Sequence, residues 1–138
     1  MLEQDYLMRQ FLLFFKGLVR SWEQMEEERD PLGAADTLED TISAATDMDG
    51  TALLSLAPES IAAIMQVTGI DPRVVEYLSR CMLLESVYLE QGGNSQLARV
   101  RDAQARAIAD GYGFILPDDP SDFDAITAGL EEAALQAE

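Results

Sequence analysis

The 138-residue chain is predicted to be all-α, with five or six helices in an irregular bundle. Three observations predict it. Apolar side chains recur at three- and four-residue spacing in one segment after another. No segment holds the period-two alternation of a half-buried strand for long. Turn signals separate the periodic runs. At 15.2 kDa the chain is expected to form a single helical domain over residues 1–138.

The first helix is expected over about residues 2–28. Leu7, Phe11, Phe14, Phe15, Leu18, Trp22 and Met25 make one apolar stripe along it. Such a helix is roughly 40 Å long, against a radius of gyration of about 14 Å for a domain of this size. It therefore spans the whole body or projects from it. Asp30-Pro31 is a cap followed by a proline tolerated in the first turn, and it restarts the chain as a helical body over residues 30–111. The second helix carries Leu32, Ala35, Leu38, Ile42 and Ala45 and stops at Asp47-Met48-Asp49-Gly50. Leu53, Leu54 and Leu56 suit a short apolar turn or a single-turn helix, and Pro58 starts a third helix that ends by Gly69.

Asp71-Pro72 repeats the capping signal. The helix it opens, to about Gln91, is apolar over most of its circumference, which places it at the centre. Gly92-Gly93-Asn94 is a tight connection to an antiparallel neighbour capped by Ser95, with Leu97, Val100, Ala107 and Ile108 facing inward. After the loop Pro117 to Pro120, Ser121 and Asp124 resemble a capping box. They open an acidic last helix over about residues 121–136.

Composition limits the chemistry. Nine basic and 26 acidic side chains give a net charge of −17, and there is no histidine. Histidine triads, imidazole metal sites and imidazole proton shuttles are excluded. The charge argues against a nucleic-acid partner. Cys81 alone cannot form an internal disulfide or a thiolate zinc site, and it reads as a small buried hydrophobe in an apolar helix. No phosphate-cradling or dinucleotide glycine motif occurs, since Gly111-Tyr112-Gly113 lacks the third glycine. The acidic start lacks the basic region of a secretory signal, and no run approaches the about 20 apolar residues of a spanning helix. A cytoplasmic location is the expectation.

Two acidic groups could hold a cation. If Gly50 were the sixth position of a calcium loop, Ala45 and Leu56 would stand at positions that need oxygen ligands. Asp118, Asp119, Asp122 and Asp124 sit among prolines and read as a loop with a helix cap. No cofactor or metal is expected. The acidic blocks, net −10 over residues 22–70 and −8 over 110–138, read first as solvated faces.

The aromatic stripe of the first helix has three readings: ordinary core, a surface for self-association, or, ranked last, a membrane-surface helix. Phe11, Phe15 and Trp22 are the candidate partner-binding residues.

Asp47-Met48-Asp49-Gly50-Thr51 resembles the D-x-D-G-T signature of haloacid-dehalogenase-like phosphatases. The resemblance implies a magnesium-dependent phosphohydrolase with Asp47 as nucleophile and Asp49 as acid/base. In that family the motif ends a buried strand and a lysine lies downstream. Here a helical pattern precedes it, and the only lysine, Lys16, lies upstream. Residues 84–105 resemble one tetratricopeptide-type helical hairpin. Gly93 stands at its turn, and Ser86, Ala98 and Ala105 stand at its small-residue positions. Leu89 and Asp102 replace its aromatics and Asp110 its closing proline. That resemblance implies close helix packing. The opening Glu3-Gln4-Asp5-Tyr6-Leu7-Met8-Arg9, with the acidic helices after it, is similar to an uncharacterised family of short bacterial proteins of unknown function.

These readings lead to a non-enzymatic interaction or adaptor module that binds another protein or itself. The alternatives are a structural homodimer formed through the aromatic helix and, more remotely, the phosphohydrolase using Asp47 and Asp49.

Overall fold

The computed structural model describes residues 2–135, which form eight helices and no strand. The first, α1 (Leu2–Glu26), ends short of the expected Glu28, and Arg29 turns the chain with a φ of 55°. Asp30 accepts a hydrogen bond from the Gly33 N–H and opens α2 (Pro31–Thr46), as its sequence predicts. A separate short helix, α3 (Gly50–Leu54), precedes α4 (Pro58–Val67). Asp71 caps α5 (Pro72–Gln91) by accepting from the Arg73 N–H.

Next comes α6 (Ser95–Tyr112), capped by Asn94 rather than Ser95. The Asn94 side chain accepts from the Leu97 N–H, while Ser95 donates to Glu90. The expected last helix over 121–136 is two helices, α7 (Phe123–Ile126) and α8 (Leu130–Leu135), and residue 136 lies outside the described residues. Its cap is Asp122, which accepts from the Ala125 N–H, and not a Ser121–Asp124 box, because Ser121 is turned back to Asp119. The break between α7 and α8 has a physical cause. Gly129 has a φ of +80°, and the Ala128 carbonyl that the turn frees accepts from the Tyr77 hydroxyl and from Arg80 Nη1. The separate α3 and this break raise the count above the expected five or six.

Helix α5 is the centre. It packs against α1, α2, α6 and α7, and Val74, Val75, Leu78, Cys81, Met82 and Leu83 on it are fully buried. Each large apolar side chain buried there contributes about 1.5–3 kcal/mol. Helices α5 and α6 form an antiparallel pair across a three-residue turn, so that Glu85 and Arg101, at similar distances on either side of it, meet. Helix α4 packs on α6, and α1 lies against α2, α5 and α8.

The inward face of α6 differs from expectation. Ala98, Arg101, Gln104, Ala105, Ile108 and Ala109 are buried, whereas Val100 is exposed and Leu97 and Ala107 are half-buried. Two polar side chains occupy the middle of a face that apolar periodicity alone places elsewhere.

Helices α1 and α2 approach closely at Gly17. A Cβ there would lie 2.0 Å from Thr41 Oγ1 and 2.7 Å from Thr41 Cβ. Gln10 Nε2 donates to the Ala45 carbonyl at one end of this contact, and Thr37 donates to Gln24 at the other. Gly17→Val is therefore expected to lower stability by about 1–3 kcal/mol through overpacking. A thermal melt with an unchanged midpoint would contradict this packing.

Candidate functional site

The Asp47–Thr51 segment is the junction between two helices. Asp47 ends α2 in the left-handed region, with a φ of 56°. The Asp49 carboxylate caps α3 by accepting from the Thr51 and Ala52 N–H groups, and the Gly50 N–H donates to Ser43 Oγ. The residues before Asp47 are helical, not a strand. Among the described residues no cluster of three acidic or cysteine side chains is arranged to hold a metal ion. In the second acidic group, Asp119 accepts from the Ser121 backbone and hydroxyl, and Asp122 caps α7. Burial in α5 pushes the Cys81 thiol far up, which keeps it protonated.

The aromatic stripe of α1 is covered within one chain. Phe11 is buried, with its ring edge-on to Tyr77 at 5.8 Å. Phe15 and Trp22 are half-buried, and Trp22 stacks on Phe123 at 4.7 Å. Helix α8 lies along α1, so the C-terminal segment supplies much of the cover. The helix length suggests a bare strip, but the described structure places α5, α7 and α8 around that side.

Four polar residues absent from the sequence-based candidates meet: Glu85 of α5 and Arg101 and Gln104 of α6, all buried, and Glu39 of α2, half-buried at the edge of the group. Arg101 donates through Nε to Glu85 Oε2 at 3.0 Å and through Nη2 to Glu39 Oε2 at 3.1 Å. Its Nη1 donates to the Leu54 carbonyl at 2.9 Å and to Gln104 Oε1 at 3.1 Å. Gln104 Nε2 donates to the carbonyls of Leu54 and Leu56. The hub thus joins α2, α5 and α6 to the end of α3 and the turn into α4.

Its charges balance through one proton. Glu85 is wholly buried, and burial first, then the neighbouring Glu39, pushes its carboxyl well above the usual carboxylate range. It is therefore protonated at neutral pH, with Oε2 accepting from Arg101 and Oε1 buried without a hydrogen-bond partner. The adjacent protonated Glu85, with help from Arg101, holds Glu39 below its ordinary value. One guanidinium then faces one carboxylate. A buried carboxyl with a raised pKa can mark a catalytic acid. Here Arg101 and Gln104 are engaged by carbonyls of another part of the fold, and none of the four lines the cavity beside α1 or the hollow on the α5–α6 pair. The arrangement is a structural clamp.

A trace of the clamp is present in the sequence. Glu85 is a charged residue within the apolar run Leu83 to Leu89, and Arg101 and Gln104 share a helical face with Ala98, Ala105 and Ile108. Their pairing across the turn is visible only in three dimensions.

The larger cavity, about 840 Å³, opens between α1, the end of α2 and the turn before α5. Arg73 lines it, but its guanidinium is held by both oxygens of Asp71 at 3.1 and 3.0 Å. A shallower hollow of about 580 Å³ lies on the α5–α6 pair beside Val87 and Ala98.

The most exposed large apolar side chains are elsewhere. Val67 is 82% and Ile115 89% exposed, and Ile64 adds a smaller exposed surface. Residues 60–70 and 111–117 contain no charged side chain. The two stretches are held together by hydrogen bonds from the Tyr112 hydroxyl to the Met65 carbonyl and from Gln66 Nε2 to the Gly111 carbonyl. Tyr112 and Phe114 stack beside them at 5.1 Å. Two uncharged stretches thus adjoin in a strongly acidic molecule. Composition concealed this, because the stretches lie more than forty residues apart.

No protein family matches the chain, and comparisons with curated proteins and with solved structures return no match. No helix among the described residues is long and apolar enough to cross a membrane.

Replacing Glu85 by Gln tests the protonation of the clamp. A raised native pKa means that the stabilising contribution is complete below the ordinary value of 4.5 and is lost as pH rises toward the native value. Glutamine mimics the protonated acid at every pH. Glu85→Gln is expected to fold, and in denaturant titrations to lose less stability than the unsubstituted chain between about pH 5 and pH 9. Parallel curves would contradict a protonated Glu85. Arg101→Met should cost about 3–5 kcal/mol, because it strands a buried acceptor set.

Proposed function

We propose that this chain is a non-enzymatic protein–protein interaction module. The observation that carries the reading is the uncharged face of α4 and residues 111–117, with Val67 and Ile115 standing out of it. Large apolar side chains left exposed on adjoining segments are what a protein partner can cover. The antiparallel α5–α6 pair offers a rigid support. Its small residues Ser86, Ala98 and Ala105 are buried, in keeping with a tetratricopeptide-like hairpin. A cytoplasmic setting suits the lone buried Cys81.

The aromatic helix is a weaker site in this reading. Binding through Phe11, Phe15 and Trp22, whether to a partner or to a second copy, would compete with the Trp22–Phe123 stack and with the packing of Phe11 against Tyr77 of α5. The phosphohydrolase reading would need Asp49 to leave its capping role.

Affinity capture from the native cell tests the module directly. The unsubstituted chain is expected to retain a partner that the Val67→Asn, Ile115→Asn chain does not. Identical captures by the two chains would count against this surface. Turnover of a phosphate ester with Mg²⁺, abolished by Asp47→Asn, would replace the reading with an enzymatic one.

A further inference from the structure

We propose that the α4 face docks an amphipathic helical segment of another protein whose apolar side is bordered by lysine or arginine. The inference rests on the interaction reading and specifies the partner's chemistry.

Helix α4 turns Ile61 and Met65 inward onto α6, while Ala63, Ile64 and Val67 are exposed. Between Asp49 and Asp71 the only charged residue is Glu59. Ile115 is exposed on the adjoining uncharged segment, next in sequence to Phe114, whose ring stacks on Tyr112. Ile64 and Val67, exposed three residues apart on one helix beside an uncharged segment, suit a partner helix that reads side chains at three- and four-residue spacing.

The border decides the partner's charge. Glu59 lies at the start of α4, Asp110 just before the second stretch, and Asp118 and Asp119 just after it, all exposed. Two cations lie near this border, Arg73 and Arg106, and each is paired with a carboxylate of its own, Asp71 and Asp102. A basic rim on the partner would meet carboxylates on several sides, which both steers encounter and selects the partner. A second copy would bring its own −17 charge to the same border, so like charges oppose self-association there.

The test uses the full chain and two synthetic helical peptides with the same Leu/Ile face, one flanked by Lys and the other by Glu. Binding is read by fluorescence anisotropy. The Lys-flanked peptide is expected to bind the unsubstituted chain at least about tenfold more tightly than the Val67→Asn, Ile115→Asn chain. The Glu-flanked peptide should bind neither. Equal binding of the Lys-flanked peptide to both chains would mean bulk charge attraction and overturn the proposal. So would no binding, or a dimer in light scattering that the substitutions abolish. Binding of the Glu-flanked peptide that the substitutions abolish would overturn the basic partner yet keep the interaction reading. Indifference of both peptides to the substitutions would count against both.

Should the substituted chain fail to fold, amide chemical shifts of the unsubstituted chain decide. Changes on adding the Lys-flanked peptide are expected at residues 60–67 and 111–117, and changes centred elsewhere would overturn the proposal.

Discussion

One guanidinium organises the interior. Arg101 reaches two carboxyl groups, one amide and one backbone carbonyl with four of its five N–H donors. The core around it is otherwise apolar, and an isolated charge there would be prohibitive. The fold resolves this by bringing Glu39 and Glu85 to the same point and leaving a proton on the more buried one. Such a clamp is weak evidence for net stability, since a well-packed apolar substitute can match it. Its effect is on geometry. The segment from α3 into α4 has short helices and few inward side chains, and it is registered on α6 through the carbonyls of Leu54 and Leu56.

That registration links core to surface. The clamp fixes the turn that precedes α4, and hydrogen bonds from Gln66 and Tyr112 fix its far end. Helix α4 is thus held at both ends with Ile61 and Met65 inward and Val67 outward. Surface and interior divide the labour of charge. Carboxylates are kept outside in number, giving the net −17, while Glu85 is taken inside beside Arg101. The uncharged face stands out because the rest is so acidic.

Much of the fold was legible in the sequence. The Asp-Pro pairs at 30–31 and 71–72 set helix starts as capping chemistry requires, and α5 runs over the expected residues as the central helix. The Asp47–Gly50 segment ends one helix and caps the next. The C-terminal helix was misread because apolar spacing from Phe123 to Ala134 is helical, while the break depends on Ala128 being bonded by Tyr77 and Arg80 from a distant helix. The α6 face was misread because Arg101 and Gln104 count as outward in any periodicity argument, and their partners lie on other elements. The aromatic stripe of α1 was legible as a stripe. What covers it, a Trp22–Phe123 stack across a hundred residues, was not. The exposed face was hidden for a similar reason, since it forms only where residues 60–70 meet 111–117.

The central claim is that the polar clamp positions the α3–α4 segment rather than merely filling the core. Hydrogen exchange on the Gln104→Leu chain tests it most directly, because the substitution keeps the volume and removes the donor to the Leu54 and Leu56 carbonyls. Amide protection is expected to fall over residues 50–67 while the centre of α5 keeps its own. A uniform loss across the molecule, or unchanged protection in α3 and α4, would contradict the account.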